Sequence, residues 1–183
     1  CPHLHLPIQS GADEILQSMR RRYTKDEYIS LIERLTGRIQ GLTVSTDLIV
    51  GFPGETDMLF AETMDTLNRL RFSHIHAFPY SPRQGTPAAA MAGQVPNNVK
   101  KRRVDTVNAL SERQKKALLD SLIGAEVQVL LEEIKDNAGE GFSEQYERVR
   151  VAVPAGCERG RIIDVLLTGR DGTVLTGRVK EAF

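Results

Sequence analysis

Apolar residues recur along this chain at two periods, and the change of period divides it. Tyr28, Leu31, Ile32 and Leu35 fall at helical spacing behind Thr24 and Glu27, a pair spaced to form a capping box. Gly37 and Gly41 are read as ending that helix. Phe60, Met64, Leu67 and Leu70 form a second helical stripe behind Thr56, which is placed to cap it. A further helix is predicted over Asp13 to Arg22, with Asp13 and Glu14 at its start, where acids suit the positive end of the dipole. Short β-rich runs, His3 to Gln9, Val44 to Val50 and Ser73 to Phe78, interleave with these helices. That order predicts an α/β region of parallel strands joined by right-handed crossovers.

Tyr80 to Pro96 carries Pro82, Gly85, Pro87, Gly93 and Pro96 and reads as an extended loop. Loops of that length in compact domains tend to be functional or linking. A long helix is expected from Asn98 to Ile123. Beyond Gly124 the period becomes that of strands, at Glu126 to Glu132, Arg148 to Val153, Arg161 to Leu167 and Val174 to Val179. The prediction is therefore two domains, an α/β region over 1–123 and a small all-β barrel or sandwich over 124–183. Three parallel strands leave sheet edges to be protected. Further strands upstream of Cys1, the long helix, or dimer formation through the exposed edge would each do so.

The chain has 183 residues with 24 basic and 24 acidic side chains, so no global field steers it to nucleic acid or membrane. Residues 1–120 carry 16 basic and 13 acidic side chains, while 121–183 carry 8 and 11. Any nucleic-acid contact must then be local. The longest apolar runs, such as Leu48 to Val50, fall far short of the roughly 18 residues of a membrane span. A soluble, cytoplasmic protein is expected. Its two cysteines, Cys1 and Cys157, are too few for a four-thiolate zinc site or a three-thiolate iron-sulfur site.

His3 and His5 alternate on one predicted strand, and His74 and His76 on another. Clustered, they would suit a metal-dependent hydrolase with Asp47 as ligand or base. His-x-His is a weak pattern, however, and backbone partners satisfy most strand histidines; no metal site is assigned. Gln9-Ser10-Gly11 and Gly51-Phe52-Pro53-Gly54 fall where strands hand over to helices, positions that suit either ligand binding or turn chemistry. Lys100, Lys101, Arg102 and Arg103 open the long helix, where cations oppose the dipole. They either present charge to phosphates or form a solvated face.

Four segments carry a family resemblance: Cys-Pro-His-Leu-His-Leu-Pro-Ile-Gln-Ser-Gly over 1–11, Met-Arg-Arg-Arg-Tyr-Thr over 19–24, Asp-Leu-Ile-Val-Gly-Phe-Pro-Gly-Glu-Thr over 47–56, and Phe-Pro-Tyr-Ser-Pro-Arg-Gln-Gly-Thr-Pro-Ala over 78–88. They resemble the radical S-adenosylmethionine methylthiotransferases, and the opening and the Tyr-Ser-Pro-Arg loop look most like the branch acting on threonylcarbamoyladenosine in tRNA. The resemblance implies a partial (βα) barrel of the radical-SAM type followed by a TRAM-like barrel. It also implies two 4Fe-4S clusters in the full-length enzyme, S-adenosylmethionine as cofactor, and methylthiolation at C2 of an adenosine beside the anticodon. The cluster cysteines of that family are absent here. The chain is therefore expected to be the carboxyl-terminal part, inactive alone, ligating neither cluster and lacking the amino-terminal half as its partner.

Carried over by that resemblance, Gln9, Arg21 and Asp47 would hold S-adenosylmethionine, with Gly51 and Phe52 beside the adenine. Arg83 would lie toward the substrate. In the tail, Arg148 and Arg150 alternate on one strand, with Arg159, Arg161 and Arg178 as neighbours, and Phe142 and Tyr146 are candidates to stack on bases of the tRNA.

Overall fold

The computed structural model describes residues 1–180. It is a mixed α/β structure that ends in a closed five-stranded barrel. The element order is β1 (His3–His5), α1 (Asp13–Ser18), α2 (Lys25–Arg38), β2 (Thr43–Val50), α3 (Asp57–Arg69), β3 (His74–Pro79), a 3-10 turn (Pro87–Ala90), α4 (Asn97–Leu122), β4 (Glu126–Lys135), β5 (Ala138–Ser143), β6 (Arg148–Ala152), β7 (Ile162–Asp171) and β8 (Val174–Val179). Two compact units result. One comprises Leu4–Gln40 and Val44–Gln114, and the other Cys1–His3, Gly41–Thr43 and the chain from Lys115 onward.

In the α/β unit the sheet order is β1-β2-β3. β2 and β3 pair in parallel, with Ser45 opposite His74 and Asp47 opposite His76. Alternation sends Val44, Thr46, Leu48 and Val50 into the core, each at most 1% exposed, and leaves Ser45 and Asp47 on the other face. Tyr28 of α2 crosses to this sheet and donates to the Leu6 carbonyl at 2.6 Å. Burial pushes its phenol up to about 12. The capping box on α2 is complete: Thr24 accepts from the Glu27 amide and the Glu27 carboxylate accepts from the Thr24 amide. The helix runs through Gly37 to Arg38 before Gly41 turns at φ +71°.

α3 buries Leu59, Thr63, Thr66 and Leu67, a face turned by about one residue from the Phe60, Met64, Leu67 and Leu70 stripe predicted above. The cause is the Ser10-Gly11 turn. A Cβ on Gly11 would meet Thr63 Cα and Thr66 Cβ at 2.9 Å each, so this backbone lies directly on the helix. Thr66 Oγ1 donates to the Gly11 carbonyl at 3.0 Å and Thr63 Oγ1 accepts from the Gly11 amide at 3.3 Å. Small hydroxyl residues at that contact displace the large apolar ones.

In the second unit the strand order β4-β5-β6-β8-β7 closes on itself. Val127, Val129 and Leu131 of β4, Val149 and Val151 of β6, Val165 and Leu167 of β7 and Leu175 of β8 point inward, joined by Leu119 from α4. Closure pairs each of these five strands on both sides. β5 is not predicted above, because Ala-Gly-Glu-Gly-Phe-Ser holds a single β-former, Phe142, among residues depleted in strands or neutral there. Its glycines are required by crowding: a Cβ on Gly141 would lie 1.8 Å from the Leu130 carbonyl oxygen.

Candidate functional site

The α/β unit presents a polar sheet face built by alternation. His5 Nδ1 lies 2.9 Å from Ser45 Oγ, and its Nε2 lies 3.3 Å from Asp47 Oδ2. His76, opposite Asp47 across the β2/β3 pair, meets His5 edge-on with centroids 5.9 Å apart and stacks beside Phe78 at 6.5 Å. On this face the imidazoles of His5 and His76 are exposed and the Asp47 carboxylate is half-buried, while the Ser45 hydroxyl is buried behind His5.

Gln9 belongs beside it. Its backbone sits at φ +66°, its amide donates to the Asp47 carbonyl at 2.9 Å, and its carbonyl accepts from Ile49 at 2.9 Å. The structure thus joins Gln9 to Asp47, two of the residues carried over for cofactor binding. Arg21 is exposed just beyond α1, its amide donating to Leu16.

Gly51 and Phe52 have packing reasons of their own. Gly51 adopts φ +71°, and a Cβ there would lie 2.4 Å from Lys100 Cγ. Only glycine lets that side chain pass. Phe52 is buried with Ala12, Ile15 and Leu59, and its ring meets Tyr80 edge-on at 5.1 Å.

The basic opening of α4 requires a correction. Lys100 and Arg103 are each only 5% exposed, so they are not a phosphate-facing surface. Lys100 Nζ donates to the Tyr80 carbonyl at 2.9 Å. Arg103 Nη1 donates to Glu55 Oε2 at 2.7 Å and to the Glu55 carbonyl at 3.0 Å, while Nη2 reaches Asp57 at 2.7 Å. The physical reason is periodicity: 100, 103, 107 and 110 share one helical stripe, and Val107 and Leu110 are core residues. Lys101 and Arg102 are exposed. Burial pushes the Glu55 carboxyl up, while the Gly51 amide and Arg103 pull it down. Arg83 is exposed in a turn where its carbonyl accepts from Thr86.

The barrel unit carries a different surface. Tyr146, 63% exposed, stacks on Phe142 with centroids 4.8 Å apart at 15° and on His3 at 5.2 Å and 25°. Arg148 Cζ lies 5.5 Å from the Phe142 centroid. The result is a column of rings closed by a guanidinium. Thr43 Oγ1 donates to the Gln145 carbonyl at 2.9 Å. His3 Nδ1, 2.8 Å from that hydroxyl, is therefore the donor to it, and the imidazole is held in place. His3 thus groups with Tyr146, whereas the sequence pattern alone had suggested a cluster of four imidazoles. Its place in the column was the feature sequence reasoning missed, since nothing local couples residues 3 and 146. Arg150 shares the strand with Arg148 but is engaged by Glu140 at 2.5 Å and faces Asp171 at 3.8 Å. It is committed to acids and offers less to phosphate than predicted.

Among the described residues, no helix is long and apolar enough to cross a membrane. Residues 1–67 match the family model described as the radical SAM superfamily. The chain is 39% identical over 177 residues to "tRNA-2-methylthio-N(6)-dimethylallyladenosine synthase 1" of Mycobacterium marinum, covering 97% of this chain and 32% of that protein. It is 38% identical over 181 residues to the Moorella thermoacetica protein named tRNA-2-methylthio-N(6)-dimethylallyladenosine synthase, covering 98% and 41% respectively. The protein of that name from Acetivibrio thermocellus is 46% identical over 132 residues, 72% of this chain and 28% of the relative.

The cofactor and clusters of that family can be set against these residues. Asp47 and Gln9 offer a carboxylate and an amide, groups able to hydrogen-bond ribose hydroxyls or an ammonium group. The two cysteines, one exposed and one half-buried, do not make an iron-sulfur ligand set. Residues 1–67 are thus similar to the radical SAM superfamily, and the chain spans about a third to two fifths of the length of the first two relatives.

Proposed function

We propose that this chain is the part of a tRNA methylthiotransferase that supplies strands of a partial radical-SAM barrel and a TRAM-like tRNA-contacting barrel. The alignment over 97–98% of the chain with relatives named for that chemistry carries the reading. When bound, S-adenosylmethionine would supply the radical and the methyl group. Asp47 and Gln9 would hold it on the open sheet face. The two clusters would come from residues outside this sequence, so the chain alone is expected to be inactive.

The relatives' names carry a dimethylallyl group. They favour an adenosine with an apolar N6 substituent over the threonylcarbamoyladenosine expected from the opening motif. Nucleoside analysis of tRNA from cells lacking the gene decides between them. Loss of the 2-methylthio mark from dimethylallyladenosine, with the threonylcarbamoyl nucleoside unchanged, is the expected result. The reverse pattern restores the threonylcarbamoyl branch, and no change in either nucleoside removes the proposal.

On the barrel, the column of His3, Tyr146, Phe142 and Arg148 is the proposed RNA contact. Stacking on aromatic rings is worth about 1–3 kcal/mol per base. Tyr146→Ala should therefore weaken binding of an anticodon stem-loop by roughly 5- to 150-fold in a fluorescence titration. Arg150→Ala, already neutralised by Glu140 and Asp171, should change it little. Equal affinities for wild type and Tyr146→Ala would remove the column from the interface.

A further inference from the structure

His5, Asp47 and His76 each offer one ligand atom, and these atoms lie within 4.8 Å of one another. Two of them already stand at coordination distance, since His5 Nε2 and Asp47 Oδ2 are 3.3 Å apart. Donor atoms about 2.0–2.1 Å from a tetrahedral metal are separated by roughly 3.3 Å. His76 completes the set by a side-chain rotation, which its exposed position on β3 allows. His5 also has an outer partner: Nδ1 lies 2.9 Å from Ser45 Oγ. With the proton on Nδ1, donated to Ser45, the Nε2 lone pair faces Asp47. Such a partner fixes the ring and tautomer of metal-binding histidines.

We propose that His5, Asp47 and His76 form a binding site for a borderline divalent cation of the zinc, cobalt or ferrous class. Two imidazoles and one carboxylate suit such ions better than magnesium or calcium, which prefer oxygen donors. Three protein ligands leave a coordination position open to water or another ligand. Asp47 cannot serve such a cation and a ribose or ammonium group together. Metal and any ligand held by Asp47 therefore exclude one another, and the open sheet face becomes sensitive to free zinc.

The test titrates the purified 183-residue chain with cobalt(II) and follows its visible absorption, with zinc as competitor. One cobalt per chain, displaced by zinc, is expected. His76→Ala and Asp47→Asn, at exposed and half-buried positions respectively, should abolish the absorption band while circular dichroism stays that of wild type. Ser45→Ala should keep the stoichiometry but weaken binding about 10- to 100-fold, the effect typical of losing an outer partner. His3→Ala, in the barrel unit, should bind as wild type. Substoichiometric uptake, or uptake unchanged by His76→Ala and Asp47→Asn, overturns the site.

The cofactor reading fails separately, if Asp47→Asn leaves S-adenosylmethionine affinity of the full-length enzyme unchanged in metal-free buffer. In that event specific cobalt uptake still stands.

Discussion

Replacing Lys115 by methionine is expected to destabilise the barrel unit by about 3–5 kcal/mol at neutral pH, the usual cost of stranding one partner of a buried ion pair. Glu147 is only 1% exposed, and Lys115 Nζ is paired with its Oε2. The Glu147 amide also lies 3.3 Å from Ser143 Oγ, fixing the chain where β5 leads into β6. Its Oε1 has no hydrogen-bond partner, so no second group would take over the lost charge. Burial already pushes this carboxyl above its ordinary 4.5, opposed only by Lys115.

Because the folded value lies above the unfolded one, the contribution of Glu147 is fully present below about 4.5 and is lost as pH rises through the folded value. Without Lys115 the upward push is unopposed and that loss deepens. The defect of Lys115→Met should therefore be largest near pH 7 and shrink on acidification toward pH 4. Glu147→Gln in the same background should recover a good part of it. Urea unfolding of wild type, single and double variants across that pH range is the measurement. A loss below about 1 kcal/mol, or one independent of pH, would show that the pair is not a buried one.

That pair was invisible in the sequence, because Lys115 lies on α4 and Glu147 between β5 and β6, 32 residues apart. Local features fared better. The capping box of Thr24 and Glu27 was readable because its partners are three residues apart, and the Thr56 cap was readable for the same reason. The inward face of α3 was read only in part: Leu67 and Leu70 of the expected stripe are buried, but the Gly11 contact that brings in Thr63 and Thr66 comes from about fifty residues earlier. β5 escaped because the crowding that demands Gly139 and Gly141 comes from Leu130, Leu131 and Val153 and leaves a segment of low strand propensity. At the candidate site, alternation paired His3 with His5 and His74 with His76, whereas the structure groups His5 and His76 with Asp47. Alternation could not say that His3 would turn to Tyr146. Register and long-range contact decide such pairings, and neither is written in a local pattern.

Lys100 and Arg103 show how a charge run misleads when its period is ignored, and Arg103→Met is the second large effect. The Arg103 and Glu55 side chains are 6% and 1% exposed, and one guanidinium serves the Glu55 carboxylate, the Glu55 carbonyl and Asp57. The Glu55 Oε2 that accepts from Arg103 also accepts from the Gly51 amide at 2.6 Å. Removing the cation strands Glu55 and should cost about 3–5 kcal/mol in unfolding free energy. Burial is the leading cause of the raised Glu55 value, opposed by Gly51 and Arg103, so this loss too should grow as pH rises above the ordinary carboxylate range.

The same variant separates structure from RNA contact. If Arg103 is a core residue, Arg103→Met lowers the denaturation midpoint while the salt dependence of tRNA binding, measured below that midpoint, keeps its slope. A phosphate contact would instead leave the midpoint unchanged and reduce the slope by about one. Lys101→Ala and Arg102→Ala, at exposed neighbouring positions, should leave stability within about 0.5 kcal/mol of wild type. The two adjacent pairs then report opposite roles from one short run of basic residues, because helical geometry turns one pair into the core and the other toward solvent.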